Sequence, residues 1–268
     1  MSYTQQYLGY LSTPALWKEK NDWGLRQFVM PTTTDTAINI NIELNLRLGK
    51  RVERFVSFEL RRHKNIEILT ENIQIQKDKI TLGEIDCLLK QDGTPIHLEI
   101  VYKFYLYDPN VGTTEYDHWI GPNRKDSLVD KLTKLKDKQL PLLYRPETET
   151  FLKTTLDLEP ANLQQQVYFK AQLFIPYNSE TVRFNTLNPD CVKGFYIHYN
   201  ALHQFQDCKF YMPAKTDWLC EVKTQTPWLN FVAFIDKLQP LIDNKTAPLC
   251  WMKSPNGLLS KCFVVWWP

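Results

Sequence analysis

The spacing of apolar positions changes several times along the chain, and each change marks an element. Residues 1 to about 38 scatter Trp17, Trp23 and Phe28 among polar residues and end in Pro31-Thr-Thr-Thr-Asp35, which predicts a short helix or two and then a loop. From about Ile42 to Arg62 the period is helical. Leu48, Val52, Phe55, Val56 and Leu60 fall on one side, with Lys50, Arg51, Arg54 and Arg61 largely elsewhere. β-type runs follow at 65–69, 72–76, 79–89 and 96–107, the last two especially rich in β-branched or aromatic residues. Asp92-Gly93 between those two is a tight hairpin signal, because both turn positions must accept a positive φ. After a loop rich in Asp, Gly and Pro, the stretch Asp126 to Leu140 reads as helix, with Leu128, Leu132, Leu135 and Leu140 apolar and Pro141 as its stop.

Past Tyr144 the texture changes. Residues 146–160 are acidic and polar, suited to a connector. Beyond them, short aromatic runs at 166–177, 194–199, 209–212, 218–222 and 262–267 are broken by Pro, Asn and Asp, and one helix is expected near Trp228–Gln239, stopped by Pro240. The order predicts an α/β core over 1–145 (helix, mixed β-sheet, helix) and a β-rich aromatic region over 160–268 packed on it.

Composition narrows the class. With 43% hydrophobic and 23% charged residues, the 268-residue chain is that of an ordinary globular protein. A net charge of +2 gives no global basic field, so any polyanion must be drawn by a local patch. The six cysteines form no CxxC pair and no zinc-type spacing, which favours buried free thiols in a reducing compartment. No run approaches the roughly 18 apolar residues of a membrane span, and the N-terminus has no secretory pattern. A cytoplasmic location is expected.

The chemistry concentrates in Gly-Glu-Ile-Asp-Cys-Leu-Leu (83–89) and His-Leu-Glu-Ile-Val-Tyr-Lys (97–103). Acids and a lysine stand in runs that should be core strands, and burying them is costly unless they pair or hold a cation. Alternation puts 84 and 86 on one face, and 97, 99, 101 and 103 on another. If the strands are neighbours, Asp86 and Glu99 converge. Two carboxylates make a hard-oxygen site suited to Mg²⁺ or Mn²⁺, with Lys103 as a fixed positive charge for water or phosphate. Glu53 on the first helix is a candidate outer carboxylate. Lys131 and Gln139, two helical steps of four apart, project from one side and suit phosphate or a metal-bound water. Asn123, in the run Trp119-Ile-Gly-Pro-Asn123-Arg124-Lys125, is a candidate substrate contact, with the tryptophan placed for stacking.

The arrangement resembles the PD-(D/E)XK nuclease-like superfamily, whose core is restriction-endonuclease-like. Within it, the chain is similar to a bacterial family known as domain of unknown function 1853. The matching residues are Leu82 to Asp86, His97-Leu-Glu99, Val101 to Tyr107, Trp119 to Asn123 and the helix around Lys131 to Leu140. The resemblance implies Asp86 as the motif aspartate, Glu99 as the acid of the next strand and Lys103 as the lysine. The superfamily pattern would put lysine at 101, where Val101 stands; Lys103 lies one pleat repeat further, roughly 7 Å along the strand.

Together these readings point to Mg²⁺- or Mn²⁺-dependent hydrolysis of DNA or RNA phosphodiesters. The alternative is a catalytically inactive nuclease-fold protein that binds nucleic acid or protein, its charges an inward salt-bridge cluster. Glu84 is either a third ligand or an exposed strand-end acid, and His97 a proton carrier or a packed strand residue. A third class is an interaction module built on the aromatic C-terminal half. No Walker loop, GxSxG elbow or HExxH helix is present.

Overall fold

The computed structural model describes residues 1–32, 36–40, 45–178 and 182–267. It is an α/β protein with a mixed sheet of nine strands. In chain order the main elements are α1 (Tyr3–Leu11), α2 (Leu48–Leu60), β1 (Ile66–Lys77), β2 (Ile80–Gln91), β3 (Thr94–Tyr107), β4 (Trp119–Ile120), α3 (Leu128–Lys134), α4 (Pro146–Phe151), β5 (Gln164–Pro176), β6 (Val192–His198), β7 (Lys209–Tyr211), α5 (Phe231–Asp243), β8 (Leu249–Lys253) and β9 (Leu259–Val265). The chain forms two compact units, each from several segments. One comprises 15–102 and 130–170, the other 1–14, 103–129 and 171–268.

In the first unit, α2 buries Leu48, Val52, Phe55, Val56 and Leu60, the apolar stripe read from the sequence. The start expected at Ile42 falls partly outside the described residues; the helix begins at Leu48. The runs at 65–69 and 72–76 are one strand, β1, with Asn72 at φ 55° inside it. Asparagine tolerates that left-handed conformation better than most residues. β1 and β2 pair antiparallel along nearly their whole length, and β2 turns into β3 through Asp92 (φ 50°) and Gly93 (φ 79°), both in the left-handed region the turn requires. Ile75, Ile85, Leu88, Leu142, Leu143, Leu152 and Leu163 form its core.

The second helix departs from expectation at its end. Pro141 does not stop it. After α3 the chain makes a π-helical turn over Leu135–Gln139 and then a 3₁₀ turn over Leu140–Tyr144, where Pro141 occupies the first turn and its missing N–H costs no bond.

In the second unit, β5 and β6 are parallel, as are β6 and β9, while β8 pairs antiparallel with β9 and with β7. The face they share with α5 buries Phe210, Phe234, Leu238, Cys250, Met252, Cys262 and Val264. Helix α5 also passes through its expected stop, with Pro240 inside its last turns. All six cysteines are buried free thiols. Trp251 and Trp267 are buried, and no tryptophan is among the exposed large apolar residues described, so the aromatic half offers no tryptophan patch.

Candidate active site

The site arises where strand pairing gives way. The ladder between β2 and β3 runs from Gln91↔Thr94 to Cys87↔Leu98 and goes no further. On the other side of β2, the ladder with β1 skips the position between Glu71↔Cys87 and Ile73↔Ile85, where Asn72 takes its positive φ. Asp86 therefore sits at a gap in the pairing on both flanks. Side chains replace the missing ladder bonds. Asp86 Oδ2 accepts from the Ile100 amide at 2.9 Å, and Glu99 accepts from the Asp86 amide.

Glu99 is fully buried, and the carboxyls of Glu99 and Asp86 also bond each other. Burial, and then the charge of Glu99, push Asp86 up to about 7. Burial pushes Glu99 up to about 7 as well, against the opposing charge of Lys131. Near neutrality the pair holds a proton that ordinary carboxylates would have lost, so it is poised to exchange that proton for a cation.

Around Glu99 runs a chain of bonds with only one consistent orientation. Lys131 Nζ donates to Gln139 Oε1 at 2.7 Å, and Gln139 Nε2 donates to Glu99 Oε2. A lysine only donates, so the amide is held with its nitrogen toward the acid. On the other oxygen, His97 Nε2 lies 3.0 Å from Glu99 Oε1. Gln165 Nε2, from β5, donates to His97 Nδ1 at 3.0 Å and to the Leu140 carbonyl at 2.6 Å. His97 Nδ1 is thus an acceptor, and Nε2 carries the hydrogen that points at Glu99. Burial lowers His97 to about 4, so the ring is neutral and holds the acid in place without neutralising it. Of the two sequence readings of His97, the packed strand residue describes it; its bond to Glu99 makes it part of the site.

The outer residues separate into two groups. Glu53 and Glu84 both bond Lys50 Nζ, at 2.9 and 2.6 Å. Burial and then the charge of Asp86 raise Glu53, which places that helix carboxyl within electrostatic range of the pair. A pocket of about 400 Å³ opens beside Asp86, lined by Lys50, Leu82, Gly83, Glu84, Lys134, Lys138, Gln139 and Leu142. The π-helical turn sets this wall: its wider coil turns Gln139 toward Glu99 while Lys134 and Lys138 line the opening.

The structure gives Lys103 and Asn123 other partners. Lys103 Nζ pairs with Asp126 at 2.6 Å, and the cation whose charge acts on both Asp86 and Glu99 is Lys131. Asn123 Oδ1 accepts from the Ala247 amide at 2.8 Å and so anchors a loop. Trp119 is wholly buried against Tyr107 and Phe184, which leaves no face for a base. Sequence reading missed Gln165, Lys134 and Lys138. The helical spacing of 131, 134 and 138 was the available signal for the lysines. For Gln165 there was none, since its position depends on β5 joining the sheet beside β3.

Fold and site describe an α/β protein with a buried carboxyl pair beside a basic pocket. The chain belongs to the family described as Domain of unknown function (DUF1853), whose model matches residues 11–265. No curated protein and no solved structure matches it. No described helix is long and apolar enough to cross a membrane.

Proposed function

We propose that the protein is a divalent-metal-dependent phosphodiester hydrolase acting on nucleic acid, with a core related to the PD-(D/E)XK nucleases. The observation that carries this reading is the Asp86–Glu99 pair: two acids brought together at a gap in strand pairing and held partly protonated at neutral pH by burial. Structural carboxylates are usually compensated by fixed cations, and perturbed pairs of this kind cluster at functional sites.

The donor set suits Mg²⁺ or Mn²⁺, which prefer hard oxygens and keep several waters of their own. Asp86 and Glu99 would hold the ion, which when bound supplies Lewis acidity and a more acidic water. His97 and Gln139 fix the Glu99 carboxylate in position. Lys131, one hydrogen bond behind Gln139, offsets negative charge gathered at the pair. Lys131 therefore fills the part that the sequence assigned to Lys103.

A second reading has its own support. Both Glu99 oxygens already have protein partners, and among the described residues no group of three or more His, Cys, Asp or Glu side chains is placed to hold a metal. That favours a nuclease-fold protein that binds without cutting. Hydrolysis assays on plasmid, single-stranded DNA and RNA with Mg²⁺ or Mn²⁺ decide between them. Cleavage abolished by Asp86→Asn and Glu99→Gln is expected; no cleavage by the wild type, or equal cleavage by all three, removes the enzyme reading.

A further inference from the structure

The pocket beside the carboxyl pair carries more cationic charge than the pair needs. Lys50 is engaged by Glu53 and Glu84. Lys134 and Lys138 line the same pocket, are exposed, and make no ion pair among the described residues. They continue from Lys131 at steps of three and four, so the three ammonium groups follow one stripe of the helix into its π turn. Exposed lysine pairs normally face open solvent. Here both border a concavity of about 400 Å³ with Asp86 on its wall.

We infer that this pocket binds the phosphates of a single nucleic-acid strand, with Lys134 and Lys138 as the phosphate ligands. The inference rests on the phosphodiesterase reading and names the substrate class for it. Three features select the ligand. Two point charges without a planar fork suit phosphate oxygens, which lysine binds through charge. A duplex presents its phosphates on a convex surface, whereas a concave pocket with a reactive carboxyl on its wall admits a strand freed from its partner. Among the described residues the lining holds no aromatic ring, and its one amide, Gln139, is already committed to Lys131 and Glu99. Bases are then neither stacked nor read, and recognition is blind to sequence.

The test measures binding apart from cleavage. Fluorescence anisotropy in EDTA compares short single-stranded DNA and RNA with the matching duplex, on wild type and on Lys134→Gln/Lys138→Gln. The single strands should bind more tightly than the duplex and with no base preference. The double variant should bind about tenfold more weakly at low salt, with the log–log salt slope reduced by about 0.7 for each lysine removed. Both side chains are exposed, so the variant should melt with the wild type, and a matched melt makes a loss of affinity specific.

Unchanged affinity in the double variant, equal binding of the duplex, or a preference above about tenfold for one base overturns the inference. So does binding to phosphatidylserine vesicles without binding to oligonucleotides. Binding that behaves as expected in a protein that never cleaves would sink the hydrolase reading alone. Cleavage that survives in a double variant of unchanged affinity would sink this inference alone.

Discussion

Gln165 Nε2 donates to His97 Nδ1, and that one bond decides which imidazole nitrogen faces Glu99. The acid is a useful metal ligand only while the ring points a hydrogen at it. Replacing Gln165 by Glu reverses the demand, since a carboxylate accepts a hydrogen from Nδ1 and favours the imidazolium. In the wild type, ¹⁵N spectra of the His97 ring should report the neutral Nε2–H form down to about pH 4. In Gln165→Glu the titration should move up by at least two units. A ring that titrates identically in both proteins would show that Gln165 does not set it.

Stability should depend on pH with a sign set by three groups. Asp86 and Glu99 are raised to about 7, so between their unfolded values near 4 and pH 7 the folded state holds protons the unfolded chain has lost. That contribution falls as pH rises and is flat above about 7. His97, lowered to about 4, acts oppositely between 4 and its unfolded value near 6.5. One net proton remains with the folded state, so this cluster contributes a loss of about 1.4 kcal/mol per pH unit across that window. Relative to the wild type, His97→Asn should steepen the decline with pH in urea melts. Asp86→Asn/Glu99→Gln should turn this contribution into a rise. Parallel pH profiles in all three proteins would contradict the burial of these charges.

Mn²⁺ should stabilise the protein by removing the proton competition at the pair. At about 100 times the dissociation constant the gain is roughly 2.7 kcal/mol. It should be larger at pH 8 than at pH 6, because below about 7 the proton competes for the same oxygens. Thermal melts at both pH values check this, with Asp86→Asn losing the gain at each.

Lys131 and Lys103 should behave differently. Lys131→Ala removes the cation that lowers the pair, so the pH at which Mn²⁺ begins to stabilise should rise, and activity should fall by about tenfold or more. Lys103→Ala breaks an ion pair with Asp126 that is more than a third exposed on each side, at a cost of no more than about 1 kcal/mol, and should leave the metal response unchanged. A larger loss of activity from Lys103→Ala than from Lys131→Ala would return the catalytic part to the strand lysine.

Gly194→Ala should destabilise the second unit. An added Cβ would lie 2.1 Å from the Lys261 carbonyl across the β6–β9 ladder, and that backbone cannot yield without breaking the pairing. A loss of about 1–3 kcal/mol is expected in denaturant melts.

The legible part of this molecule was the local part. Period-3.6 spacing gave the buried face of α2, and Asp92-Gly93 gave the β2–β3 turn. Acids misplaced in apolar strands gave Asp86 and Glu99, because burying an unpaired carboxylate is too costly to be incidental. Lys131 and Gln139 were placed on one side by helical spacing, and they bond each other. Alternation failed for Lys103: it assigns a face but not the partner waiting there, which is Asp126. The proline rule failed at Pro141 and Pro240, because a proline in a new or ending turn loses little hydrogen bonding. Gln165 was invisible, since its role depends on strands far apart in sequence lying side by side.

The π turn at Leu135–Gln139 accommodates one residue more than an α-helix would over the same length. Each residue advances an α-helix by roughly 100°, so deleting a single amino acid from this turn would restore regular coiling and swing everything beyond it by about a quarter of a revolution. Family members lacking that surplus residue could keep Asp86, Glu99 and Lys131 in their sequences while the amide that bridges acid to ammonium faced away, and an alignment alone would score them as intact.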